Sequence, residues 1–435
     1  MHKTVLPRRY LDGPKGSILR NATRASRAKA CRCMCIWLMV HRSRGRKMAD
    51  EFIALSVPNL KGNELKYVTD AVETEWVSTA GPYVSDFEKK VAEYVHTPAA
   101  VSTQNGTSAL HISLMLCGVK PGDAVIVPTL TFIAAVNPTK YAGAEPIFMD
   151  CDDSLCMDPV KLKKFCEEEC DFTDGKLVDK QTGRQIKAMV VVHVFGNMAD
   201  MEAIMPIAEK YNLKVVEDAT EALGTYYTEG KYAGKFAGTI GTLGCYSFNG
   251  NKIITTGGGG MIVSNDEALL AHAKHLTTQA KADQANFIHD EMGYNYRLTN
   301  LQAALGLAQM EQLEDFIKVK TKNYHLYKEA IDKMPGLHVQ DFRPGIRSNY
   351  WFYSVVFEND EEGRDKLIEA LKEAHIQSRP IWGLISDQLP YEGARTYDLT
   401  CAPWYWHRVV NVPCSTNLDE SGVNRVIDVI KNFAE

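Results

Sequence analysis

From about residue 98 the chain alternates short, continuously apolar runs with helix-period patterns, and this alternation limits its fold more than any other feature. The runs are Ala124 to Val127, Glu145 to Met149, Ala188 to His193, Leu213 to Glu217, Leu243 to Phe248 and Met261 to Val263. Helix patterns are predicted between them at 107–117, 131–141, 200–211 and 266–281. Runs this apolar have no face to offer water, so they predict a largely parallel sheet covered by helices on both sides. In such sheets ligands collect at the carboxyl ends of the strands. A helical stretch over 301–334 leads into Asn349 to Phe357 and further mixed elements, which read as a smaller α+β domain. The polar, glycine-containing residues 171–186 read as a loop or hairpin.

The 435 residues are 45% hydrophobic and 24% charged, enough to bury a large core in two or three domains. Charge is unevenly spread. Residues 1–47 hold 13 Lys and Arg against the single acid Asp12, so the net charge of -5 conceals a body at -17. An acidic body offers no general attraction to nucleic acid. The basic segment lacks amphipathic periodicity, and its apolar stretch Cys33 to Val40 is too short to span a bilayer. Basic residues follow that stretch where a secretory signal would place small ones. Residues 1–47 are therefore expected to be a disordered basic extension, with Met48 opening the globular part. The expected domains are 48–300, large and ligand-binding, and 301–435, small.

Eleven dispersed cysteines, an odd number, suggest reduced thiols and a cytoplasmic protein rather than a disulfide framework. Cys31, Cys33 and Cys35 lack a partner set at zinc spacing, and there is no H-E-x-x-H, so no metal is expected. Cys166 and Cys170 fall on one face of a charged helix pattern and read as structural. No apolar run reaches membrane length.

Chemistry concentrates at Lys252, in Ser247-Phe-Asn-Gly-Asn-Lys252-Ile-Ile-Thr-Thr, just before the glycine run 257–260. A nucleotide phosphate loop is excluded: Gly244 and Gly250 are too far apart, Asn251 separates glycine from lysine, and Ile253 replaces the magnesium-binding hydroxyl. A partly desolvated lysine instead suits a carbonyl ligand, of which pyridoxal phosphate is the commonest; the alternative is an ordinary strand, turn and strand whose lysine reaches solvent. That cofactor also needs a carboxylate at its ring nitrogen and a phosphate cradle. Asp218, at the mouth of an apolar strand, is the candidate carboxylate, with capping of a following helix as its alternative. Glu221 lies three residues on. Gly106 and Thr107 open a buried helix whose N-terminus would favour an anion, with a simple N-cap as the alternative, and Ser247 can add a hydroxyl. Phe132, after Pro128-Thr-Leu-Thr, could stack on the ring or simply belong to the core.

These segments resemble the DegT/DnrJ/EryC1/StrS family of nucleotide-sugar aminotransferases. The resemblance runs from about Ile53 to the C-terminus, on Asn105-Gly-Thr-Ser-Ala-Leu110, Pro128 to Phe132, Glu217-Asp-Ala-Thr-Glu221, Ser247 to Lys252 with Thr256 to Gly260, and Gly293-Tyr-Asn-Tyr-Arg297. It implies an α/β fold-type I pyridoxal phosphate transferase, with a mostly parallel seven-stranded sheet and a smaller C-terminal α+β domain. It also implies that Lys252 holds the cofactor covalently, Asp218 faces the ring nitrogen, and Glu221 lies near the phenolic oxygen. Gly106, Thr107 and Ser247 would bind phosphate, and Phe132 would stack. Asn295 would reach the cofactor of a neighbouring subunit, implying a homodimer with shared sites. The implied reaction moves an amino group from glutamate to a nucleotide-linked 4-keto-6-deoxyhexose, with a UDP-linked, N-acetylated sugar expected. The alternatives are a 3-keto-sugar aminotransferase or a non-catalytic cofactor-binding regulator. His193, Arg297, Arg379 and Trp382 are candidates for substrate contact, each with an equally available structural role.

Overall fold

Seven strands make the spine of the large sheet: β1 (Ala99–Thr103), β2 (Ala124–Pro128), β3 (Glu145–Met149), β4 (Gln185–Val192), β5 (Lys214–Asp218), β6 (Leu243–Ser247) and β7 (Gly260–Ser264). Their spatial order is β1-β7-β6-β5-β4-β2-β3. All neighbours from β6 to β3 are parallel, and only β7 runs against its two partners. Residues 51–435 are described in this computed structural model, with Phe52–Glu435 forming one compact unit. The expectations for residues 1–47 lie outside the described residues.

The sheet is the fold-type I arrangement expected, and its interior follows from strand composition. Val125, Ile126, Val127, Val190, Val191 and Val216 are all fully buried, as strands sandwiched between helices must be. Helix α1 (Pro82–Val95) shows an amphipathic stripe, burying Val84, Phe87, Val91 and Val95. Helix α2 (Gly106–Leu116) is different: it is apolar nearly all round, and its residues from Ser108 to Leu114 are buried. Such a helix belongs inside the molecule, and its N-terminus is correspondingly close to the strand ends.

Several local expectations are corrected. The helix at 131–141 is a 3-10 turn at Ile133–Ala135 followed by a short helix at Asn137–Tyr141. Pro138 has no N–H to continue an earlier helix but is suited to open a new one. The stretch 301–334 is two helices, Asn300–Met310 and Leu313–Ile331. Cys166 and Cys170 do not share a helix face: the helix ends at Glu168, and Cys170 begins the hairpin strand Cys170–Thr173, paired with Lys176–Asp179. Both thiols are buried. A further strand, Arg395–Tyr397, joins the large sheet alongside β3 from the C-terminal part of the chain.

A second sheet, wholly antiparallel, is built from β8 (Leu337–Val339), β9 (Tyr353–Phe357), β10 (Arg379–Pro380) and β11 (Val409–Val412). Strand β9 starts only at Tyr353, later than Asn349, because residues 348–352 are bound sideways to the large sheet's loops. Asn349 donates its side-chain amide to the carbonyls of Glu221 and Leu223, and Tyr350 takes a left-handed φ of 50°. No helix among the described residues is long and apolar enough to cross a membrane.

Candidate active site

Strand period alone separates two adjacent acids at the end of β5. Glu217 and Asp218 point to opposite faces of the sheet. Glu217, fully buried, receives the His193 Nε2–H at 2.8 Å and the backbone N–H groups of Gly238, Ile240 and Gly241, so it fastens the 238–241 turn. Asp218 faces a cavity of about 200 Å³ lined also by Gly106, Thr107, Phe132, Thr220, Glu221, Ser247, Asn249 and Lys252. A larger concavity, lined by Glu88, Lys89 and Lys274 among others, lies away from these groups and has no convergent chemistry. The smaller cavity is therefore the chemical one.

Asp218 is 3% exposed and no helix follows it, so the capping alternative fails. Its carboxylate accepts from the backbone N–H of Thr220 at 3.1 Å in an Asx turn. Burial pushes its pKa up, while Thr220, Lys252 and His193 pull the other way. Glu221 accepts the backbone N–H of Phe195 at 2.8 Å and lies 3.5 Å from the Lys252 ammonium. Burial raises it to about 7 despite that ammonium.

The anion cradle is equally local in origin. Asn105, extended at φ -167° and ψ 167°, caps helix α2 by accepting from the Ser108 N–H at 2.8 Å. The opening of the helix, with Gly106 and Thr107, then lines the cavity. Glycine at 106 permits a close approach: a Cβ there would lie 3.0 Å from the Ser247 Cβ and 3.1 Å from the Thr220 Cγ2. Phe132 is 54% exposed at the cavity wall, not a core side chain.

The cavity thus combines an amine, a buried carboxylate lacking a full cationic partner, and a helix N-terminus flanked by hydroxyls. This donor set fits pyridoxal phosphate: Asp218 would take the protonated ring nitrogen, Gly106, Thr107 and Ser247 the phosphate, and Lys252 the carbonyl carbon.

The other candidates sit elsewhere. His193 is fully buried, its Nδ1 accepting from the Ala199 N–H at 3.1 Å while Nε2–H donates to Glu217, so neither nitrogen is left for a ligand. Arg297 forms a two-pronged ion pair with Glu88, whose Oε1 also accepts from the Ser102 N–H and hydroxyl. Arg379 is exposed on β10, and Trp382 packs on Phe195 with ring centroids 4.7 Å apart. Asn295 is exposed and does not line the cavity of its own chain. Sequence reasoning missed Thr220, Asn249, Asn349 and Trp351. The first two lay inside quoted motifs; the last two come from a distant segment without a local signal. It also missed a surface grouping in which the ligand atoms of His275, Asp290 and Glu291 lie within 4.8 Å of one another.

An α/β sheet with a lysine, an aspartate and a helix N-terminus meeting at its strand ends is that of a fold-type I pyridoxal phosphate enzyme. Residues 58–431 match the DegT/DnrJ/EryC1/StrS aminotransferase family. The GDP-perosamine synthase of Escherichia coli O157:H7 is 37% identical over 383 residues, covering 88% of this chain and 99% of the relative. That of Caulobacter vibrioides is 36% identical over 86% of this chain and 96% of the relative. Among solved structures, a DegT DnrJ EryC1 StrS aminotransferase from Brucella abortus superposes with a TM-score of 0.77 at 28% identity, covering 86% and 95% of the two chains. The chain belongs to the DegT/DnrJ/EryC1/StrS aminotransferase family, and its activity is pyridoxal phosphate-dependent amino transfer.

Proposed function

We propose that this enzyme moves an amino group from glutamate to a nucleotide-linked 4-keto-6-deoxyhexose, giving a 4-amino sugar for surface-glycan synthesis. The observation that carries the reading is the meeting of Lys252, Asp218 and the α2 N-terminus in one cavity. Relatives named GDP-perosamine synthase support a nucleotide-linked amino sugar, and favour GDP over the UDP-linked, N-acetylated substrate expected from the sequence.

Pyridoxal phosphate supplies a carbonyl that exchanges amines and a ring that accepts the electron pair of a deprotonated carbon. Lys252 would hold that carbonyl at rest, and its Nζ, once freed by the amino donor, would be the base that takes up and returns the proton of the donor's α-carbon. Asp218, as a carboxylate, would keep the ring nitrogen protonated. Glu221 orients Lys252 from 3.5 Å and offers a carboxyl to the phenolic oxygen. Thr107, Ser247 and the α2 N–H groups would hold the phosphate, while Phe132 would cover the ring. The same residues would serve the keto-sugar, with Lys252 moving the proton in the opposite sense. Asn295, exposed and outside its own chain's cavity, supports a homodimer in which each copy completes the other's site.

Borohydride reduction followed by peptide mapping should place the cofactor on Lys252; label on another residue would overturn the assignment. GDP- and UDP-linked keto-sugars, each supplied with glutamate, should separate the carrier nucleotides. Product NMR identifies the ring carbon that gains nitrogen, and amination at carbon 3 would refute the 4-keto reading.

A further inference from the structure

Lys252 has a second neighbour besides Glu221. Its Nζ lies 4.1 Å from the centroid of the Trp351 ring, well within the range of a cation–π contact. The same indole donates its Nε1–H to the carbonyl of Asn251, the residue before the lysine, at 2.8 Å. One side chain thus grips both the loop that carries the lysine and the amine at its tip.

Trp351 is itself fixed from several directions. Its backbone N–H donates to the Asn349 Oδ1 at 3.0 Å, and its carbonyl accepts from the buried Lys320 ammonium at 3.0 Å. Asn349 in turn donates to the carbonyls of Glu221 and Leu223. Trp351 is 3% exposed and packs edge-on against Phe352, with centroids 4.2 Å apart. The charged groups facing the amine are Glu221, directly, and Asp218 across the cavity.

We propose that Trp351 is a positioning residue for the Lys252 amine: its π face stabilises the ammonium and its N–H sets the loop. This rests on the reading of Lys252 as the cofactor-bearing amine. A structural role alone would move stability and not the capture of the cofactor by Lys252. The test is reloading of the full-length chain, freed of cofactor with hydroxylamine, with pyridoxal phosphate, the fraction fixed to Lys252 by borohydride being followed over time by mass spectrometry. In folded Trp351→Leu the loading rate should fall about tenfold, having lost both the π face and the tether to Asn251. Trp351→Phe keeps a π face and should recover part of that rate.

Should the leucine variant fail to fold, 4,5,6,7-tetrafluorotryptophan at 351 keeps the shape while weakening the π face, and loading should again slow. A loading rate equal to that of the native chain in a folded leucine or fluorinated variant overturns the proposal. Borohydride mapping of the native holoenzyme tests the underlying reading separately. Label away from Lys252 there would sink that reading whatever the relative rates of the variants.

Discussion

At Asp218 burial opposes ionisation of the carboxyl, a cost that the ring cation of the proposed function would offset. Asp218→Asn should therefore fold and yet lower kcat by about a hundredfold or more, since a charge aimed at the reacting group is lost. Urea titration of the cofactor-free variant should show stability equal to or above that of the native chain. Glu221 carries the clearest pH signature. Its carboxyl is raised from 4.5 to about 7, so the native state binds this proton more tightly than the unfolded chain does. Its contribution is then fully present below 4.5 and declines as pH rises towards 7. The cofactor-free chain should lose on the order of 3 kcal/mol across that window through this residue, and Glu221→Gln should flatten the profile. Urea midpoints at the two ends of the window measure it; an unflattened variant would remove Glu221 as the source.

Among the elements, helix α2 and its neighbours carry the tightest tolerances. Gly106→Ala brings a methyl to within 3.0 Å of Ser247, which must then shift in the anion cradle. Crowding worth about 1.4 kcal/mol would weaken cofactor binding about tenfold, as read by equilibrium dialysis. A different constraint holds α1 to the segment before Asn300–Met310. Glu88 is 10% exposed and meets both Arg297 and β1 through Ser102. Arg297→Met strands that carboxylate, so unfolding stability should drop by about 3 kcal/mol; a loss within error would show the pair to be dispensable. These elements also show where sequence was legible. The strands β2, β3 and β6 were readable because continuous apolar runs have one stable environment. Residues 131–141 were misread because Pro138 divides one periodic pattern into two pieces. Arg395–Tyr397 gave no run long enough to mark it as a strand.

For the whole molecule, the proposal of shared sites makes a quantitative demand. Lys252→Ala and Asn295→Ala chains, each impaired alone, should regain roughly a quarter of native activity when mixed and allowed to exchange, because half the dimers then contain one intact site. No recovery despite demonstrated subunit exchange would show that each chain completes its own site. The two sheets already illustrate such long-range assembly within one chain: residues 348–352, sent out by the second sheet, reach the Glu221 and Lys252 loops of the first.

The sequence by itself determined the parallel sheet, the cavity at its strand ends, and the meeting of Lys252, Asp218, Thr107 and Ser247 around it, because these depend on local period and short motifs. Only the tertiary structure decided which neighbouring acid enters the cavity with which partners, that His193 and Arg297 are engaged in packing, and that Trp351 lies over Lys252. Those outcomes depend on groups 99 residues apart in sequence or on burial shared between elements, and no local pattern encodes a distance across the fold.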